Sequence, residues 1–299
     1  MRTPRRVHLG AAALTMIAAA CVAALAAAAG TAAPAAFTFT TVDVPGAADT
    51  FAFAINSSGQ IAGGYQGDDQ VSHGFVRSPA GAITKFDAPA AASTDVSDIN
   101  DAGQIVGDFR DKDKVSHGFV RAADGTFTMF DIPDASNTFA NGINGAGQIA
   151  GNIEDAAHRS HGYIRDVAGA VTTFDAPNGF TTVANGINDA GQVSGFYRDG
   201  NGDYHGFIRS GAGAFMVVDV PRATETVVYG INRAGQVIGY YRDADDTSHG
   251  FVRASGGAIT RFDVPRAAGT AGYGLNAAGQ IVGTFDDAND TTHGFVGRR

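Results

Sequence analysis

Between Thr94 and Pro133, four short stretches rich in apolar and β-branched residues are each bounded by Gly, Asp or Asn: Thr94–Asn100, Gln104–Phe109, Ser116–Arg121 and Thr126–Pro133. This pattern predicts four short strands joined by tight turns. Asn100-Asp101-Ala102-Gly103 opens on a residue whose side chain can close a turn and puts glycine where positive φ is needed, the pattern of a type I turn with a G1 bulge. Gly107 falls inside the second strand, where glycine marks a bulge or a close backbone approach. Asp111–Val115 reads as a longer polar hairpin loop. Asp131-Ile132-Pro133 ends the fourth strand, because proline cannot donate to a ladder.

The same pattern recurs six times with a step of 44 residues. His-Gly-aromatic stands at His73, His117, His161, His205, His249 and His293, and Asn-x-x-Gly-Gln at Asn56, Asn100, Asn144, Asn188, Asn232 and Asn276. Asp-x-Pro follows the same step from Asp43 to Asp263, and a threonine from Thr50 to Thr270. Four antiparallel strands in this length match a propeller blade. The repeat begins with a fourth strand, Phe37–Pro45, and stops at a third, His293–Arg299. Joined, the two ends complete one blade and leave no unpaired edge. The expectation is an all-β, six-bladed β-propeller of four-stranded antiparallel blades over residues 37–299, its ring closed by the N-terminal strand. Tandem β-trefoils are the alternative, and an open solenoid would need atypical capping repeats that are not seen.

Composition changes the picture in two ways. Arg2, Arg5 and Arg6 precede an apolar run from about Leu9 to Ala29, so residues 1–32 read as a signal peptide, cleaved after Ala29 or Ala32. Arg5-Arg6 resembles a twin-arginine signal. Cys21, the one cysteine, follows three alanines as in a lipoprotein box and offers a lipid-anchored alternative. Export to the periplasm or outside is expected, with no membrane span in the mature chain and no disulfide. The acidity also matters: without those three arginines the net charge of −9 becomes −12, and Glu154 and Glu225 are the only glutamates. Such a chain is repelled by phosphate backbones, which argues against a nucleic-acid partner.

At Ile99-Asn100-Asp101-Ala102-Gly103-Gln104-Ile105-Val106-Gly107 and its five counterparts the chain resembles the HAF-repeat family of bacterial extracellular repeats. The family's His-Ala-Phe mark departs here, with glycine for alanine in all six copies. The resemblance spans essentially the mature chain and implies export and a repeat β-fold. It carries over no catalytic residue, because the family has no established activity.

Candidate chemistry is then weighed against the repeat. Six equivalent histidines could ring the axis and bind a metal or anion, but a group present in every blade is what a structural role requires, each imidazole bonding within its own blade. The aromatics after them read as core. Arg77, Arg121, Arg165, Arg209 and Arg253 are expected to pair with the repeated aspartates Asp87, Asp131 and their kin. Asp199-Gly200-Asn201-Gly202-Asp203 alternates oxygen ligands with glycine, which makes Asp199, Asn201 and Asp203 candidate calcium ligands, although the later glutamate of an EF-hand is missing. Similar clusters occur at Asp243–Asp246 and Asp286–Asp290. No other cofactor is implied.

Catalysis needs a few residues in unlike roles. The singular ones noticed in the sequence, Lys85, Glu154, His158 and Glu225, fall at unrelated repeat positions, and no nucleophile elbow, zinc motif or phosphate loop is present. The chain therefore reads as a monomeric, exported binding scaffold for protein or glycan and not as an enzyme. The alternative is a glycan-processing propeller using axial carboxylates, for which two unrepeated acids in a central pocket would speak. Tryptophan is absent, so Tyr229, Tyr240, Tyr241 and Tyr273 are the nearest candidates for stacking on a sugar.

Overall fold

The computed structural model describes residues 37–299. The readings of the signal peptide, of Arg5-Arg6 and of Cys21 lie outside the described residues. The second repeat forms strands Ser93–Ile99, Ile105–Arg110, Ser116–Arg121 and Phe127–Phe130, each antiparallel to the next. Five further four-stranded sheets repeat this order, and the first strands of neighbouring sheets touch one another all the way round. The molecule is a six-bladed β-propeller, and the trefoil and solenoid alternatives fall away. No helix among the described residues is long and apolar enough to cross a membrane.

Local chemistry explains each blade. Gly103 has φ +75°, its N–H donates to the Asn100 carbonyl at 3.0 Å, and Asn100 N–H reaches the Gln104 carbonyl at 3.0 Å, so the expected turn forms. Gly107 resolves as a close approach, since a Cβ there would collide with the Asp95 carbonyl and lie 2.9 Å from the Phe119 ring. The bulge sits on the facing strand instead, where the register slips between Val96 and Asp98. That slip aims the side chains of the innermost strand anew, and it recurs in every blade. The fourth strand is shorter than the pattern suggests and ends at Phe130. Asp131 and Ile132 are held by side chains instead of a ladder: Ile132 N–H donates to Thr138 Oγ1 at 3.1 Å.

The ring closes as the offset ends require. Thr38–Val42 pairs antiparallel with the strand Thr292–Arg298, from Thr38 opposite Arg298 to Val42 opposite Gly294. Val42 and Val44 then pack with Ala52, Phe75 and Val296, so the closing strand also joins the last blade to the first. The core is not central. It consists of layers between blades, such as Ala54, Ala62, Val76 and Phe86 of one blade against Val96, Ile99, Phe109 and Phe119 of the next. Burying each such phenylalanine contributes about 1.5–3 kcal/mol. Because the apolar faces lie between blades, the axis is free to carry something else.

Candidate functional site

The repeated histidines do not gather at the axis. Each lies on the third strand of its blade and donates through Nδ1 to the aspartate of the Asp-x-Pro segment, 2.8 Å for His73–Asp87 and 3.1 Å for His293–Asp43 at the extremes. On the other side, in five of the six, Nε2 faces the aspartate that opens the hairpin loop, at 3.3 Å for His161–Asp155 and 3.2 Å for His249–Asp243, whereas His73 faces Asp69 inside its loop. Five of the rings also stack on an aromatic of the second strand at 5.1 Å. The aspartates that the arginines were expected to pair with are thus taken by histidine. The arginines lie elsewhere: Arg121, Arg165 and Arg209 sit over the rings of Phe86, Phe130 and Phe174 of the preceding blade at 4.6–4.7 Å. Cation–π contact across the blade interface replaces the expected ion pair.

The repeated asparagines do more than turn a hairpin. Asn100 Oδ1 accepts from Ala102 and Gln104 N–H within its own turn, while Nδ2 donates to the Asn144 carbonyl of the next blade at 3.1 Å. The same bond runs from each blade to the next until Asn276 Nδ2 reaches the Asn56 carbonyl at 3.1 Å. Six side chains therefore stitch one end of the ring.

At the candidate calcium loop, Asp199 Oδ1 accepts from Asn201 N–H and Asp203 N–H at 2.9 Å each, and Asn201 Nδ2 donates to Asp199 Oδ2 at 3.2 Å. Asp111, Asp155, Asp243 and Asp287 close their loops through the same pair of backbone bonds. This is a side-chain cap on a hairpin, and it forms equally at Asp155-Ala156-Ala157, where no alternation of oxygen ligands exists.

Differences between blades reach the axis as well as the loops. A cavity of about 260 Å³ is enclosed by the first strands of all six blades. Its floor is monotonous, made of Ile55, Ile187, Ile231 and Leu275. Its wall is not: the bulge position carries Phe53, Ser97, Asn141, Asn185, Tyr229 and Tyr273 around the ring, and Asp95 and Asp98 flank Ser97. Half of the wall is aromatic. Tyr273 packs edge-on against Tyr229 at 4.5 Å and against Phe53 at 5.2 Å. The other half is polar and runs from Asp95 to Asn185.

The polar half is built by bonds between blades. Asp98 Oδ1 accepts from Ile99 N–H at 2.8 Å and Oδ2 from Ile143 N–H of the next blade at 2.9 Å. Burial nonetheless pushes the Asp98 carboxyl up to about 7, the two N–H donors pulling the other way. Asn141 Nδ2 donates to Asn152 Oδ1 and to the Ala184 carbonyl, and Asn185 Nδ2 to the Val228 carbonyl at 2.8 Å. Behind Asp95 lies Asp108, its partner across the ladder. Burial and then the Asp95 charge push Asp108 up to about 8, while burial also raises Asp95.

A second cavity of about 250 Å³ opens between the fifth and sixth blades and shares Tyr229 and Tyr273 with the first. It exists because the sixth blade carries Gly269 and Ala271 where the fifth has Glu225 and Val227. Tyr240 stands on its other side, 6.1 Å from Tyr229, its hydroxyl donating to Glu225 Oε1 at 2.8 Å. Three of the four tyrosines singled out in the sequence thus meet here. The fourth, Tyr241, is buried under His249 in a blade core. Of the singular residues, Glu225 alone comes near the site. Asp95, Asp98 and Asp108 were missed, although subtracting the repeat from the first two strands of the blade would have exposed them.

No family model matches the chain, and no curated protein matches it. Among solved structures, TolB from Acinetobacter baumannii superposes with TM-score 0.60 at 11 % identity, over 81 % of this chain and 64 % of that one. The chain thus spans under two thirds of that TolB. A fungal lectin of Aleuria aurantia, described as a six-bladed β-propeller with a novel fucose recognition mode, superposes at 0.52 and 11 % identity over 86 % and 93 % of the two chains. SapL1 lectin, solved with alpha methyl fucoside, does so at 0.54 and 10 % over 82 % and 91 %. At such identities the likeness is one of fold.

Proposed function

We propose that this protein is an exported glycan-binding propeller whose ligand site is the axial cavity. One observation carries the reading: the bulge position of the innermost strand, which lines the axial cavity, departs from the repeat so that an aromatic arc faces a polar one. Sugar rings present an apolar face and a rim of hydroxyls, which suits such a wall. The lectin neighbours, which bind fucose on the same architecture, support the class, and the HAF-repeat resemblance supports export. Loop-mediated protein recognition has less behind it, since the hairpin loops close on their own side chains. Labelled full chain on a glycan array tests the reading: binding to a restricted set of glycans that is lost in Tyr229→Ala is the expected result. Undiminished binding by that variant would place the site elsewhere.

Asp95 and Asp98 favour a second reading, a glycan-processing enzyme, because unrepeated acids do stand in the central cavity and a carboxyl near 7 suits proton transfer. Both Asp98 oxygens, however, hold backbone N–H groups. Release of reducing ends from a bound oligosaccharide, lost in Asp95→Asn, would establish it; a ligand recovered intact would leave binding alone.

A further inference from the structure

We infer that the axial cavity selects a sugar bearing a protonated amino group, with the ammonium seated on Asp95 and Asp98 and the sugar ring against Tyr229 and Tyr273. The inference rests on the axial binding reading and names the ligand class for it.

The first argument is the donor and acceptor inventory of the wall. Asn141 has spent both amide N–H groups, on Asn152 Oδ1 and on the Ala184 carbonyl of the next blade, and Asn185 has spent one, on the Val228 carbonyl of the next. Only an amide nitrogen can donate to a carbonyl, so the orientation of both side chains is settled. Their Oδ1 atoms are left as acceptors, and no donor among the described residues reaches them. The Asp98 oxygens take one N–H each and keep further lone pairs, and Asp95 adds a carboxylate. The polar arc therefore offers more acceptors than donors, its donors being the Ser97 hydroxyl and one Asn185 N–H, and a ligand rich in donors complements it.

Charge is the second argument. The cavity lining contains two carboxyls and no Lys, Arg or His. Arg110, beyond the wall, is the cation that acts on Asp95 and Asp108. Burial holds Asp95, Asp98 and Asp108 up, and a cation seated among them would favour their ionised forms.

The aromatic arc supplies the third. Phe53, Tyr229 and Tyr273 line the cavity together, and aromatic rings suit a cation as well as a sugar face. Tyr229 lines both cavities and its hydroxyl makes no hydrogen bond to any described residue, which leaves it free for a ligand hydroxyl. A volume of about 260 Å³ lies at the small end of ligand pockets and suits a single sugar residue, with the neighbouring cavity beside Tyr240 open to a second.

Calorimetric titration of the purified full chain at pH 7 with glucosamine, N-acetylglucosamine, glucose and ethanolamine tests this. Glucosamine should bind at least about tenfold tighter than each of the others, a difference of roughly 1.4 kcal/mol. Asp95→Asn should lower glucosamine affinity about tenfold and bring it level with glucose, with the thermal midpoint within a few degrees of the parent. Glucose or N-acetylglucosamine binding as tightly as glucosamine would overturn the amine requirement and leave the glycan reading standing. Ethanolamine binding as tightly would overturn the sugar, and the glycan reading with it. No heat from any probe at about 10 mM, enough to detect a Kd of about 1 mM, would overturn both.

Discussion

Asn276 donates its side-chain amide to the backbone carbonyl of Asn56, 3.1 Å away and 220 residues earlier in the chain, and so completes a circle of six such bonds around one end of the propeller. The five other bonds each span 44 residues, one blade to the next. Closure is thus written into side chains as well as into the paired terminal strand.

Asn276→Ala should therefore cost more than an exposed turn asparagine. It takes from the Asn56 carbonyl one of its two donors, leaving Gly59 N–H, and removes the Oδ1 cap on Ala278 and Gln280 N–H. A loss of about 1–3 kcal/mol is expected for such buried bonds, measured by chemical denaturation. Asn276→Asp, which keeps the cap but cannot donate, should fall between Ala and the parent.

Removal of the chain up to Pro45 should leave the strand Thr292–Arg298 with a bare edge and His293 without Asp43. Loss of cooperative unfolding together with association, seen by light scattering, is the expected outcome. Retention of the parent midpoint would show that the asparagine circle and the blade interfaces suffice.

Stability should decline from about pH 6 to pH 9, for two reasons of one sign. In His117, His161 and His249 burial pulls the pKa down, but hydrogen bonds and charge from two flanking aspartates outweigh it and leave it raised. That contribution is complete below the unfolded imidazole value of about 6.5 and is lost as pH rises through the folded one. Asp98 and Asp108 are held up near 7 and 8, chiefly by burial. Their ionisation penalises the folded state as pH climbs from the unfolded carboxyl value through those points. Asp108→Asn should accordingly melt higher at pH 8, by the equivalent of more than about 1 kcal/mol, with the gain shrinking toward pH 4.

Gly118→Ala would restore the His-Ala-Phe form of the resembling family, yet it should destabilise this chain. A Cβ at Gly118 would stand 2.7 Å from the Phe130 ring of its own blade, and overpacking of this kind costs about 1–3 kcal/mol. The companion change Phe130→Leu should recover part of the loss, which thermal melts of the single and double variants would show.

Asp199→Ala should lower the midpoint by the same amount with calcium and with EDTA, because Asp199 serves the Asn201 and Asp203 N–H groups of its own loop. A calcium-induced rise in the parent that vanishes in Asp199→Ala would instead show a metal held there.

Much of the architecture could be read from spacing alone. The turn at Asn100–Gly103 depends on four consecutive residues, and the closing strand on where the repeat is cut. The arginines were misread because their true partners, phenylalanines such as Phe86 and Phe130, stand in the preceding blade and have no fixed meaning in a linear pattern. The carboxyls Asp95, Asp98 and Asp108 were hidden in a chain where aspartate is the ordinary acid. Alternation could not reveal them either, since the bulge at Ser97 interrupts the period that assigns residues to faces.

By itself the sequence determined the number of blades, the strands and turns of each, and the terminal pairing that closes the ring. These rest on local backbone preferences and on a period that any single copy repeats. Only the tertiary structure decided what the axis holds. Six first strands converge there from positions 44 residues apart, and the character of the cavity depends on Phe53, Ser97, Asn141, Asn185, Tyr229 and Tyr273 meeting across it. No window of the chain contains that meeting, because closure of the ring creates it.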